Sequence, residues 1–208
     1  MEAQKEPWEL IYVDDGSDDT SVEKILAAKK SRPFIRLITL TKNFGQTSAF
    51  DVGFRAATGE IVVCLDGDGQ NDPKDIPLLL ETLKSADMVC GWRKNRKDPL
   101  ISKKIPSRIV FFVRSRLLRD CVHDSGCSLK AFKREAFNKI KLFTGLHRFL
   151  PALFVNEGFT VKEVVVNHRH RTQGVSKYGF NRLSSIFDIL AVYWMKKRSL
   201  KHAIKKEL

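Results

Sequence analysis

Two carboxylates one residue apart, Asp66 and Asp68, sit where the apolar run Ile61-Val-Val-Cys-Leu65 gives way to the turn Gly67 to Pro73. Residues i and i+2 of a strand point to the same side, so both carboxylates can lean toward one cation. Hard oxygen ligands that leave positions open for phosphate oxygens suit Mg²⁺ or Mn²⁺ beside a nucleotide. The plainer alternative is a polar turn after a buried strand. A second acidic cluster, Asp14-Asp15-Gly16-Ser17-Asp18-Asp19-Thr20, follows another short apolar run. A carboxylate at such a corner can accept hydrogen bonds from a nucleobase or ribose; alternatively, these residues only cap the helix that follows.

Basic and hydrogen-bonding residues recur further on. Arg93-Lys-Asn-Arg-Lys97 is a basic loop, Asp124-Ser-Gly-Cys127 is a compact polar turn, and Asn167 to Gly179 carries Arg169, Arg171, Ser176 and Lys177 between two glycines. Such a segment can order over a diphosphate through charge-assisted hydrogen bonds. A nucleic-acid partner is not expected, because no recognition motif accompanies the loop. An EF-hand counted from Asp66 fails: Asn71 and Pro77 stand where the sixth-position Gly and twelfth-position Glu belong. The nucleophile loop of haloacid dehalogenase-type phosphatases remains a minor alternative, with Gln70 in the place of its Thr.

The elements that must position these groups alternate. Strands are expected at Glu9 to Val13, Phe34 to Leu40, Ile61 to Leu65 and Met88 to Gly91, and helices near Ser21 to Lys30, Thr47 to Ala57 and Asp75 to Ser85. That alternation implies an α/β fold with a parallel sheet and ligands at the carboxyl ends of its strands. A helix from Pro106 to Arg119 interleaves Phe111 and Phe112 with arginines, which suits a lipid headgroup interface; the alternative is a basic solvated face. Further on, a strand at Ser128 to Phe132, a short helix, a helix from Leu146 to Gly158 and a strand at Val161 to Val166 are expected.

At 208 residues, 43% hydrophobic and 29% charged, the chain has the composition of a folded globular domain. Lys and Arg number 37 against 24 Asp and Glu, a formal charge of +13 that favours anionic partners. The apolar stretch Leu183 to Met195 is shorter than the roughly 18 residues of a membrane span and contains Asp188. No signal-peptide pattern opens the chain, so the expected compartment is the cytoplasm. Cys64 and Cys90 read as small buried hydrophobes, and Cys121 and Cys127 lack metal-ligand spacing.

Val13-Asp-Asp-Gly-Ser17, Asn43-Phe-Gly-Gln46, Leu65 to Pro73, Asp124-Ser-Gly-Cys127 and Arg169 to Gly179 resemble, in this order, the inverting GT-A glycosyltransferases of family 2. Within it the closest similarity is to the dolichyl-phosphate mannosyltransferase and undecaprenyl-phosphate glycosyltransferase branch. The resemblance implies a GT-A, Rossmann-like fold with a mostly parallel sheet, a GDP- or UDP-sugar donor of mannose or glucose type, Mg²⁺ or Mn²⁺, and a polyprenyl phosphate acceptor at a membrane surface. It implies metal binding by Asp66, Asp68 and Gln70, nucleotide-sugar binding by Asp15, Asp66, Arg169, Arg171, Ser176 and Lys177, acceptor-phosphate binding by Arg93, Ser107 and Arg108, and catalytic parts for Asp68, Asp124 and Arg93. Gly69 stands where the family has Leu, which would loosen that turn. The family's opening strand and helix with Pro-x-Tyr-Asn-Glu, and the membrane helices of many relatives, are not in this sequence. The expectation is therefore an N-terminally shortened catalytic domain over 1–181 and an amphipathic basic helix or tail over 182–208. The chain would lie peripherally at the cytoplasmic membrane face, and either it is a fragment or split product, or a partner chain or Met1 to Pro7 fills the place of the absent strand. The rival expectation is a non-catalytic relative that binds membrane or a partner.

Overall fold

The computed structural model describes residues 7–94, 116–118, 120, 122–169 and 184–198. Strand β1 (Leu10–Asp14), helix α1 (Ser21–Lys30), β2 (Ile35–Thr39), α2 (Gln46–Ala56) and β3 (Ile61–Cys64) come first. After a 3₁₀ turn at Pro73–Asp75 follow α3 (Ile76–Leu83), β4 (Met88–Trp92), β5 (Lys130–Lys133) and α4 (Arg134–Phe137). A second 3₁₀ turn, Leu146–Phe149, runs into α5 (Leu150–Asn156), then β6 (Val161–Val165) and α6 (Ser184–Arg198). Of the expected helix Pro106 to Arg119, only residues 116–118 are described, and they are helical.

The strands form two sheets among the described residues: β1 pairs in parallel with β2, and the other four run in the order β3-β5-β4-β6. β4 and β6 are parallel, but β5 lies between β3 and β4 and is antiparallel to both. The sheet is thus mixed at its centre, where strand-helix alternation alone implied only parallel neighbours. β5 fits there because its side chains alternate. Phe132 faces one core with Phe54, Phe137 and Phe154, whose rings meet edge-on at 4.9 Å (Phe54–Phe132) and 5.0 Å (Phe54–Phe137). Ala131 faces the other core, under Ile76, Leu79 and Leu83 of α3.

α6 adds Ile189 and Val192 to the first core. Its opposite side leaves Phe187 71% and Trp194 61% exposed, with Leu190 between them. Among the described residues, no helix is long and apolar enough to cross a membrane. β3 is less buried than its apolar sequence suggests, since Ile61 is 45% exposed and β5 is the strand it pairs with.

Candidate active site

The carboxyl ends of β1 and β3 are joined by the corner that opens α2. Asp15, just past β1, accepts the backbone N–H groups of Phe44 at 2.7 Å and Gly45 at 2.9 Å. The next residue, Gln46, donates its side-chain amide to Asp66 Oδ1 at 2.7 Å. Asp15 therefore braces the corner before α2; the Asx contact at the start of α1 is made by Asp19, which accepts Ser21 N–H at 2.9 Å. Gly16 makes the corner possible. Its φ is 70°, and a Cβ there would lie 2.6 Å from the Lys42 carbonyl carbon.

The turn after β3 is held from two directions. Ser128 Oγ accepts the backbone N–H of Asp66 at 3.2 Å and the side-chain amide of Asn71 at 2.8 Å, with Ser128 and Asn71 both buried. Asn71 also bridges to His168, and Gln70 accepts Arg169 N–H through its backbone oxygen at 2.9 Å. Asp72 caps the 3₁₀ turn by accepting Lys74 N–H at 3.0 Å and forms an ion pair with Arg169. These contacts, the Lys74 N–H before Arg169, hold its carboxyl below the usual carboxylate range. Asp68 Oδ1 accepts the Gln70 N–H at 3.0 Å. Gly69 sits at φ 74°, where a leucine would be strained, so glycine here fits the turn rather than loosening it.

Asp66 and Asp68 stand just past the end of β3 and carry carboxylate oxygens, the hard ligands that Mg²⁺ and Mn²⁺ take, but among the described residues no group of three or more His, Cys, Asp or Glu side chains is gathered about one point. Gln70 Nε2 lies 3.4 Å from His168 Nε2, so this amide faces the β6 side of the turn. The three described thiols are buried. Burial pushes Cys64 and Cys90 up to about 12 and raises Cys127 as well, so none is a thiolate at neutral pH. Cys121 lies outside the described residues.

A shielded ion pair stands at the end of β4. Arg93 pairs bidentately with Asp124 (Nε 2.7 Å, Nη2 3.0 Å), the two side chains being only 12% and 17% exposed. The segment Asp124 to Ser128 connects this pair to the acidic turn: Asp124 engages Arg93 at one end, and Ser128 holds Asp66 and Asn71 at the other. Lys130, next along and buried on β5, donates to the Cys127 carbonyl and helps hold the segment's shape.

The matches to known proteins agree with this geometry. Residues 1–141 match the glycosyl transferase family 2. The dodecaprenyl-phosphate galacturonate synthase of Rhizobium johnstonii is 42% identical over 191 residues, covering 89% of this chain and 56% of that protein.

The chain belongs to glycosyl transferase family 2.

A further family relative, the undecaprenyl-phosphate 4-deoxy-4-formamido-L-arabinose transferase of Pectobacterium carotovorum, is 36% identical over 187 residues, covering 88% of this chain and 57% of its own. The chain thus spans a little over half the length of these curated relatives. Solved structures share the GT-A fold. The glucosyl-3-phosphoglycerate synthase of Mycobacterium tuberculosis superposes with a TM-score of 0.62 at 17% identity, over 90% of this chain and 68% of that one. A Pyrobaculum calidifontis mannosyltransferase in complex with GDP-Man and Mn²⁺ gives 0.58 at 20% identity, over 94% and 56%.

In this family 2 chain the structure brings together Asp15, Asp66, Asp68, Gln70 and Arg169 around the strand ends, and Arg93 with Asp124 beside them. Ser107, Arg108, Arg171, Ser176 and Lys177 lie outside the described residues. Sequence reasoning gave no role to Gln46, Ser128, Asn71 or Glu163. Gln46 and Asn71 stood within matched motifs and could have been found there; Ser128 and Glu163 act on partners dozens of residues away.

Behind α2, Thr47 Oγ1 accepts Gly145 N–H at 2.9 Å and lies 2.7 Å from His147 Nδ1. His147 Nε2 is buried without a partner among the described residues. Burial, aided by Arg148 and Lys130, lowers this imidazole from 6.5 to about 4, so it is neutral at physiological pH.

Proposed function

We propose that this chain forms the catalytic core of an inverting glycosyltransferase that moves a sugar from a GDP- or UDP-sugar to a polyprenyl phosphate. The observation that carries the reading is the short Asp124 to Ser128 segment, which links the acidic turn of Asp66 and Asp68 to the Arg93–Asp124 ion pair. A diphosphate leaving group belongs at the first and a phosphate nucleophile at the second. The names of the two relatives share a polyprenyl phosphate and differ in the sugar, which supports the acceptor class.

Mg²⁺ or Mn²⁺ held by Asp66 and Asp68 would supply neutralisation of charge on the departing diphosphate, and Gln70, whose amide lies against His168, would join that shell by turning toward the ion. Asp15, kept in place by the 44–45 backbone, faces the nucleoside, and Arg169 covers the donor side of the turn. Arg171, Ser176 and Lys177 are proposed to extend that cover, and Ser107 and Arg108 to join Arg93 at the acceptor phosphate. A phosphomonoester has its second pKa near 6 and is largely dianionic at neutral pH, so no strong general base is required. Asp124 instead orients Arg93 and the acceptor.

The exposed stripe of Phe187, Leu190 and Trp194 on α6, with Arg198 stacked over Trp194, suits peripheral contact with an anionic bilayer surface. The separate β1-β2 sheet, the lightly buried α1 and the exposed Ile61 on β3 support a further strand, from another segment or a partner chain, beside β1 and β3. They equally favour the second reading, a family member that binds without transfer. Thermal melting with UDP or GDP plus Mn²⁺ separates the two. A ligand at 100 times its dissociation constant stabilises the native state by about 2.7 kcal/mol, and no shift at millimolar concentration favours the non-catalytic reading.

A further inference from the structure

Glu163, on β6, lies apart from every motif of the site, yet its carboxylate ends under the Arg93–Asp124 pair. The side chain is only 9% exposed. Its two oxygens accept the His123 N–H at 2.9 and 3.1 Å and the Asp124 N–H at 3.0 Å, and Oε2 lies 2.8 Å from His123 Nδ1. Successive backbone N–H groups turned toward one carboxylate make an anion-binding concavity, here filled from within the fold. The His123 ring stacks on Trp92 at 4.3 Å and 15°, so the residue before Arg93 and the residue before Asp124 are also held face to face. β6 pairs with β4 in a register that sets Cys90 opposite Glu163 and Trp92 opposite Val165, which fixes where the carboxylate arrives.

We propose that Glu163 is a positioning residue for the acceptor end of the site: it sets the 123–124 backbone so that Asp124 aims Arg93 at the incoming phosphate. The chain of contacts runs in one direction, from Glu163 to the Asp124 N–H and from the Asp124 carboxylate to Arg93 Nε, Nη2 and backbone N–H. Without Glu163, the His123 and Asp124 N–H groups lose the carboxylate that draws them to one side, and the turn relaxes toward other partners. Arg93 would then keep its charge and lose its aim. The acid turn hangs on Ser128 and Gln46 instead, so donor binding is spared.

The acceptor half of this inference rests on the lipid-phosphate reading above, and the test separates the two. Glu163→Ala and Glu163→Gln are compared with wild type and with Lys162→Ala, a neighbour on β6 whose ammonium donates to Ser85 Oγ. Nitrogen-15 spectra follow the Arg93 Nε–H, which bidentate pairing protects from exchange, and kinetics follow the KM for a short polyprenyl phosphate beside the dissociation constant for nucleotide with Mn²⁺. Glu163→Ala should speed Arg93 Nε–H exchange at least tenfold and raise the acceptor KM at least tenfold, with nucleotide affinity within twofold of wild type. Glu163→Gln, which keeps one carbonyl acceptor, should recover part of both effects, and Lys162→Ala should match wild type. An unchanged Arg93 signal in Glu163→Ala overturns the positioning role, as does an equal loss of donor and acceptor affinity. If wild type transfers nothing to the lipid, the function reading falls while the Arg93 signal still decides the positioning.

Discussion

Replacing Ser128 by alanine removes a single buried hydroxyl that two donors share, the Asp66 backbone N–H and the Asn71 side-chain amide. Each buried donor left without an acceptor costs about 1–3 kcal/mol. Asn71 keeps its contact with the Cys127 thiol and can shift, so the two losses together should come to about 2–4 kcal/mol. For a chain of this size each kcal/mol moves the melting temperature by roughly 2–4 °C, so Ser128→Ala should melt about 5–12 °C below wild type. The same change frees Asp66 at its backbone while Gln46 still holds its carboxylate, and metal-dependent nucleotide affinity should fall about tenfold, or about 1.4 kcal/mol. Thermal melting with and without Mn²⁺ and nucleotide reads both effects. Ser31→Ala, at the exposed end of α1, is the control and should stay within about 0.5 kcal/mol. A Ser128→Ala protein that melts within 2 °C of wild type, by about the measure just given, and binds nucleotide equally would refute the shared-hydroxyl account.

His147 should make stability depend on pH. Its folded pKa of about 4 lies below the 6.5 of the free side chain, so the unfolded chain takes up the proton first as pH falls. Stability should drop between roughly pH 6.5 and 4 by up to about 3 kcal/mol and lose nothing more from this group below that. Urea midpoints for wild type and His147→Gln should therefore converge as pH falls through that window; a constant gap contradicts it. Gly16→Ala, which places a methyl 2.6 Å from the Lys42 backbone at positive φ, should cost more than about 1 kcal/mol in urea unfolding and weaken nucleotide binding through the Asp15 corner. The double change Phe187→Ser and Trp194→Ser should reduce sedimentation with anionic vesicles at low salt while leaving nucleotide-induced melting shifts intact, since both side chains point to solvent. Equal sedimentation of the double variant would exclude α6 as the membrane face.

Local signals in the sequence were enough to place most elements within a residue or two. The run Ile61 to Leu65 ends as β3 at Cys64, and Asp72 followed by Pro73 starts its turn because the side chain can accept the Lys74 N–H while proline needs no donor. The expected helix from Leu146 instead begins as a 3₁₀ turn and becomes α-helical at Leu150, with Pro151 in its first turn. The family resemblance named Arg93 and Asp124 separately for the acceptor end, and the structure pairs them. The position of β5 between β3 and β4 was not legible, because strand order depends on packing of Phe132 and Ala131 against partners far away in sequence. Glu163 and Ser128 escaped for a related reason: each acts on backbone N–H groups, and a backbone donor leaves no residue type to read.

Sugar transfer to a lipid phosphate is read most directly by incubating the chain with a panel of GDP- and UDP-sugars, Mn²⁺ and a short polyprenyl phosphate, and following the lipid by mass spectrometry. One donor should give a lipid-linked sugar, and Asp68→Asn, folded by melting but without its second carboxylate, should give none. Product from Asp68→Asn at the wild-type rate, or no lipid product from any donor while the nucleotide binds, would contradict the account.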